Sequence, residues 1–104
     1  MRKAKVLVNG VEAGILSEAK QGAEYVFEYH EGYDGPEVSR TMLPSRKKYS
    51  YTRFPPFFEG LLPEGIQLEG LLKLNKIDRD DLFSQLITVG EDMVGAVTVK
   101  EIME

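Results

Sequence analysis

Asn9-Gly10 falls between two β-rich segments, and this dipeptide tolerates the positive φ values that a two-residue hairpin turn requires. Before it, Lys3 to Asn9 is a short alternating stretch. After it, a second strand should start near Val11 and run through Ile15 and Leu16. Beyond Gln21-Gly22, Ala23 to Tyr29 supplies the β-branched and aromatic residues of a third strand, with Tyr25, Phe27 and Tyr29 on one face and Val26 on the other. The economical arrangement is an antiparallel meander.

Residues 30 to 36 are rich in turn formers, and Val38 to Leu43 reads as a fourth, edge-like strand ended by Pro44. Residues 45 to 53 read as a basic loop, beyond which helical spacing replaces alternation. Pro55 and Pro56 suit the first turn of a helix, where their missing N–H groups are not needed. Phe57, Phe58, Leu61 and Leu62 follow, and Pro63 stops this short helix. A second helix is expected from Glu64 to about Lys76. A third should start at Asp78 as N-cap, with Asp80 and Asp81 in its first turn and Leu82, Phe83, Leu86 and Ile87 as its apolar stripe, closing at Gly90. Val94 to Ile102 returns to strand chemistry, and Glu91-Asp92 reads as the turn before it, one of these acids capping backbone N–H groups. The order predicts an α+β fold: a small antiparallel sheet, an N-terminal meander plus a C-terminal strand, packed with about three short helices, and residues 1–104 as one domain.

Composition narrows the chemistry. A chain of 104 residues buries only roughly 60 to 70% of its unfolded surface, enough for one modest core. It contains no cysteine and one histidine, so disulfides, thiolate nucleophiles, Cys-based metal sites and multi-His sites are excluded, and no cofactor is called for. No stretch approaches the roughly 18 apolar residues of a membrane span, and the N-terminus lacks the apolar core of a signal peptide, so a cytoplasmic protein is expected. The formal net charge of −4 disfavours phosphate backbones as partners.

Asp78, Asp80 and Asp81 are explained by helix capping without catalysis. His30 reads as a solvated turn residue, and the serines lack a G-x-S-x-G elbow. No phosphate-binding glycine loop and no kinase catalytic sequence is present, which argues against phosphoryl transfer and, with the rest, against an enzyme. Arg46, Lys47, Lys48 and Arg53, interleaved with Tyr49, Tyr51 and Phe54, form the only segment that could contact nucleic acid, but four charges in a loop of a net-acidic chain more often mark a solvated face or a contact with an acidic protein. Phe54 to Gly65 is the most distinctive stretch. At least part of it belongs in the core, and a helix so short and apolar leaves side chains over to anchor a partner.

Several motifs resemble one family. Phe57-Phe58-Glu59-Gly60-Leu61-Leu62-Pro63-Glu64 is similar to the F-F-x-x-L-L-P-[DE] motif of the HipA N-terminal subdomain, and Gly90-Glu91-Asp92-Met93-Val94-Gly95-Ala96-Val97 resembles its closing G-x-D-x-V-G-A-V. Leu82-Phe83 and Leu86 fall where that family has its D-L-L or D-L-F helix. Ser39 to Pro44 resembles its S-x-x-L-P strand end, and Asn9-Gly10 through Leu16 its opening hairpin. The resemblance runs through nearly the whole chain in order.

In that family the subdomain precedes a serine/threonine kinase body, of which this sequence carries none. HipBST toxin–antitoxin modules encode such a subdomain separately, as HipS, beside a kinase toxin, HipT, and a DNA-binding protein, HipB. The resemblance therefore implies a HipS-like antitoxin that binds and restrains a HipT-like kinase, by covering its cleft or holding it unproductive. The alternative it leaves open is a non-inhibitory scaffold that stabilises the kinase or couples it to a HipB-like repressor. On either reading Phe57, Phe58, Leu61, Leu62, Pro63, Glu64 and Ile66 are the candidate contacts, Phe58 and Ile66 foremost, with Arg46, Lys47 and Lys48 as rim charges. Some HipS proteins present a large aromatic near this motif, and this chain has no Trp.

Overall fold

The computed structural model, which describes residues 1–91 and 95–102, opens with the hairpin that Asn9-Gly10 dictates. Both residues take positive φ, 53° and 82°, and their turn joins β1 (Arg2–Val8) to β2 (Val11–Lys20). A second turn through Gly22 leads to β3 (Glu24–Tyr29), which pairs antiparallel with β2. The last strand, β5 (Val97–Glu101), returns to the other side of β1, and β4 (Lys48–Tyr51) joins β3. The sheet order is β4-β3-β2-β1-β5, every pair antiparallel.

Alternation fixes which face is dry. Ala4, Val6 and Val8 of β1, Leu16 of β2, Tyr25, Phe27 and Tyr29 of β3 and Val99 of β5 are buried together. Phe58 from α1 (Pro56–Glu59) and Phe83 and Leu86 from α3 (Leu82–Val89) complete this core. The rings meet edge-on: Phe27 lies 4.8 Å from Tyr29, and Tyr25 lies 5.2 Å from Phe54. The opposite face carries Lys3, Lys5, Ser17, Glu28, Lys48 and Ser50, all half-buried or exposed.

The fourth strand is not where the sequence suggests. Val38 to Leu43 makes only a tight turn, with the Met42 N–H donating to the Ser39 carbonyl at 3.0 Å and a single bridge between those residues. Val38 and Met42 are buried, and both are tied to Tyr29: its hydroxyl accepts from the Val38 N–H at 3.0 Å and donates to the Met42 carbonyl. This segment is a clasp over the core. The strand forms instead within the stretch read as a basic loop, because Tyr49 and Tyr51 alternate with Lys48 and Ser50 and register against Phe27 and Tyr25.

The helices follow expectation with one correction. Pro56 occupies the first turn of α1, and α2 (Gly65–Asn75) ends at Lys76 in the left-handed conformation, its N–H donating to the Leu72 carbonyl. The N-cap of α3 is Asp81, not Asp78: the Asp81 carboxylate accepts from the Ser84 N–H at 3.1 Å, whereas Asp78 accepts through its backbone carbonyl from the Gln85 side chain. Gly90 ends α3 against β5. A Cβ there would stand 2.1 Å from the Val99 carbonyl oxygen, so only glycine allows this approach. The expected turn at Glu91-Asp92 and the start of the last strand at Val94 lie partly outside the described residues.

Candidate partner-binding surface

The residues singled out around the Phe57–Glu64 motif separate by burial. Phe58 is 0% exposed, its ring 6.0 Å from Phe27 and 5.2 Å from Phe57, so it is a core residue with no surface to offer a partner. This corrects its place among the leading contacts. Phe57, Leu61 and Leu62 are half-buried and packed against the core, Pro63 is half-buried, and Glu64 is exposed. Ile66, in the first turn of α2, is 90% exposed, and Leu74 on the same helix is 85% exposed. Of the five large apolar residues of α2, Leu72 alone is buried. The helix therefore displays apolar side chains on more than one side, which its own fold does not cover.

Two concavities flank this motif. One, of about 660 Å³, runs along α2 and the turn after it and is lined by Ile66, Glu69, Leu72, Lys73, Ile77 and Arg79. The other, of about 400 Å³, brings Phe57 and Pro56 of α1 together with Met42, Arg46, Tyr49 and Tyr51. Here the structure brings together candidates from two segments, Arg46 before β4 and Phe57 in α1. The Arg46 guanidinium also stands 5.3 Å over the Tyr49 ring. Lys47 pairs with Glu31, and Lys48 points to the sheet's open face. The candidates therefore form two surfaces, one centred on Ile66 and one on Phe57 and Arg46.

The main charged cluster elsewhere is structural. Arg2 donates to Glu18 at 2.7 and 2.9 Å, to Asp81 at 2.9 Å and to the Ser84 hydroxyl at 2.8 Å. Burial pushes the Glu18 carboxyl up, but the Arg2 guanidinium, the Gly22 N–H and the Tyr25 hydroxyl outweigh it and hold Glu18 below the usual carboxylate range. Asp81 is likewise held low, burial being outweighed by Arg2 and Ser84, and Arg2 is raised chiefly by its bond to Glu18. Each charge already has its partner. His30 contacts Glu12 at the surface, and among the described residues no group of three acidic or histidine side chains is arranged to hold a metal ion. No helix among the described residues is long and apolar enough to cross a membrane.

Residues 4–100 match the sequence profile of the HipA N-terminal domain. The chain belongs to that family. A solved structure, the N-terminal domain of HipA toxin, superimposes with a TM-score of 0.78 at 28% identity, covering 100% of this chain and 95% of that one. An uncharacterised protein of Haemophilus influenzae is 31% identical over 101 residues, spanning 97% of this chain and 93% of its own length. The HipA N-terminal domain is a non-catalytic subdomain, and membership associates this chain with toxin–antitoxin modules. Sequence reasoning missed the exposure of Leu74, although a helix apolar on several sides is itself the signal for it.

Proposed function

We propose that this chain is a HipS-like antitoxin that binds and restrains a HipA-type serine/threonine kinase, with the α1–α2 corner as its contact. The observation that carries the reading is Ile66, a large apolar side chain 90% exposed at the head of a helix directly after Leu61, Leu62 and Pro63. A protein that left such a residue in water would lose roughly the 1.5 to 3 kcal/mol that burying it yields, and a partner recovers it. The half-buried Phe57, Leu61, Leu62 and Pro63 extend the patch, and Glu64 supplies a charge at its rim. Arg46, Lys47 and Lys48 stand on and beside β4. An interface of roughly 800 Å² per partner is feasible for a domain of this size. The near-complete coverage of the Haemophilus relative, 93% of its length, supports a domain that occurs by itself.

The test is co-expression with a HipT-like kinase, following complex formation by size exclusion and autophosphorylation in parallel. A stable complex with suppressed autophosphorylation, dispersed by Ile66→Asp, is the expected result. A complex with unchanged autophosphorylation makes the chain an accessory subunit that stabilises the kinase or couples it to a HipB-like repressor. No complex removes the reading altogether.

A further inference from the structure

The sheet ends on one side in a bare strand. At the β5 side the outer edge is capped at its centre, where the Val99 N–H donates to the Gly90 carbonyl at 3.0 Å. At the β4 side the register decides which backbone groups are free. The Tyr29 N–H donates to the Lys47 carbonyl at 2.8 Å, which makes 29 and 47 a hydrogen-bonded pair. Alternation then makes Phe27 and Tyr49, and Tyr25 and Tyr51, the next such pairs. The N–H and C=O groups of Lys48 and Ser50 therefore point away from β3, and among the described residues nothing accepts from or donates to them. Tyr49, Ser50 and Tyr51 point to alternate faces yet all line the cavity of about 400 Å³, so it lies along this free edge.

The chain segment that carries the edge is basic, with Glu28 of β3 opposite Lys48 and Glu31 beside Lys47 as the carboxylates facing it. Between Val38 and Phe58 the chain has five cations, Arg40, Arg46, Lys47, Lys48 and Arg53, and no carboxylate. The rest of the chain has eight cations against 17 carboxylates, a formal −9. Among the described residues Lys47 is the one of the five in an ion pair, with the exposed Glu31. Edge cations guard against unwanted strand pairing, but a guard needs no aromatic cavity beside it.

We propose that the free edge of β4 and the cavity beside it dock an extended acidic peptide segment, which joins the sheet as a sixth strand. Its backbone bonds to the N–H and C=O of Lys48 and Ser50. Side chains of a strand alternate, so apolar residues enter the cavity between Tyr49, Tyr51 and Phe57 while acidic residues meet Lys48 on the open face. Arg46, held over Tyr49, closes on a carboxylate at the cavity mouth. A nucleic acid offers no matching ladder of alternating donors and acceptors, and the acidic remainder of the chain repels its phosphates. This site shares Phe57 with the proposed kinase contact but is centred on β4, and Ile66 takes no part in it.

The probe is a capped heptapeptide alternating Glu with Val or Phe, titrated into the ¹⁵N-labelled protein. Binding should slow hydrogen exchange at the Lys48 and Ser50 amides and leave the already paired Tyr49 and Tyr51 amides as they were. Ser50→Pro removes an outward N–H without touching the β3 ladder and should weaken binding about tenfold or more, as should Arg46→Glu. Ile66→Asp should leave it unchanged. N-methylation of the peptide at alternate residues should abolish binding even where the proline variant fails to fold. Equal affinity for a block-scrambled peptide of the same composition, or binding without protection at Lys48 and Ser50, overturns the proposal. Tighter binding of a short thymidine oligonucleotide to the same residues overturns it in favour of nucleic acid.

Discussion

Arg2 and Asp81, 79 positions apart, meet at 2.9 Å and fasten the first strand to the N-terminus of α3. The same guanidinium spans to Glu18, which is 5% exposed. Arg2→Met removes the guanidinium that stands 5.0 Å over the Phe83 ring and leaves a buried carboxylate without its counter-charge. It should cost about 2 to 3 kcal/mol. Urea unfolding should show a lower midpoint at unchanged slope.

The pH dependence follows from the same cluster. Glu18 and Asp81 are both held below their ordinary values in the folded protein, so between the folded and unfolded values the unfolded chain binds more protons. Their contribution is complete above the unfolded carboxylate range, about pH 4 to 5, and is lost as pH falls through the folded values. Arg2, raised further from an already high value, stays charged throughout. Unfolding midpoints measured from neutral to acid pH should therefore fall on the acid side. In Arg2→Met the fall should begin at higher pH, because burial then acts on Glu18 without its counter-charge.

Phe58 and Ile66 are eight residues apart and should behave oppositely. Phe58→Ala removes a fully buried ring packed on Phe27 and Phe57, at a cost of about 3 to 5 kcal/mol. Ile66→Asp changes an exposed side chain and should alter stability by less than about 0.5 kcal/mol. Thermal unfolding of the two variants, beside kinase pull-down, separates folding from binding. An Ile66→Asp protein as unstable as Phe58→Ala would place Ile66 in the core.

The hairpin was legible because Asn9-Gly10 admits one kind of turn, and the α1 start because Pro55-Pro56 tolerates one kind of helix position. The fourth strand was not legible, because hydrophobicity at Val38 and Met42 signals burial without saying whether a strand or a clasp buries it. What decides is the Tyr29 hydroxyl, a contact 9 to 13 residues away in sequence. At Lys48 to Tyr51 the alternation was present, but the charges of Arg46, Lys47 and Lys48 pointed to a loop. The Asp81 cap was misplaced by one turn, since three aspartates in four positions compete and Arg2, remote in sequence, selects among them. Of the candidate surface, the motif itself could be read, while the division between buried Phe58 and exposed Ile66 depends on how α1 lies across β3.

Gly90 tests how tightly α3 closes on β5. Its position allows the carbonyl of the helix end to accept from the Val99 N–H at 3.0 Å, which caps the middle of that edge strand. A methyl group placed there would lie 2.1 Å from the Val99 carbonyl oxygen and 2.8 Å from its carbon, both backbone atoms that no rotamer change can move. Gly90→Ala must therefore push β5 away from α3, and because Val99 is fully buried the shift reaches the core. The expected loss is about 2 kcal/mol or more in chemical unfolding. Hydrogen exchange should quicken at the Val99 amide while the amides of β2 and β3 keep their protection relative to the global stability. Gly70, half-buried on α2, is the control: a Cβ there meets nothing within 4 Å, and Gly70→Ala should stabilise by about 0.5 to 1 kcal/mol through helix propensity.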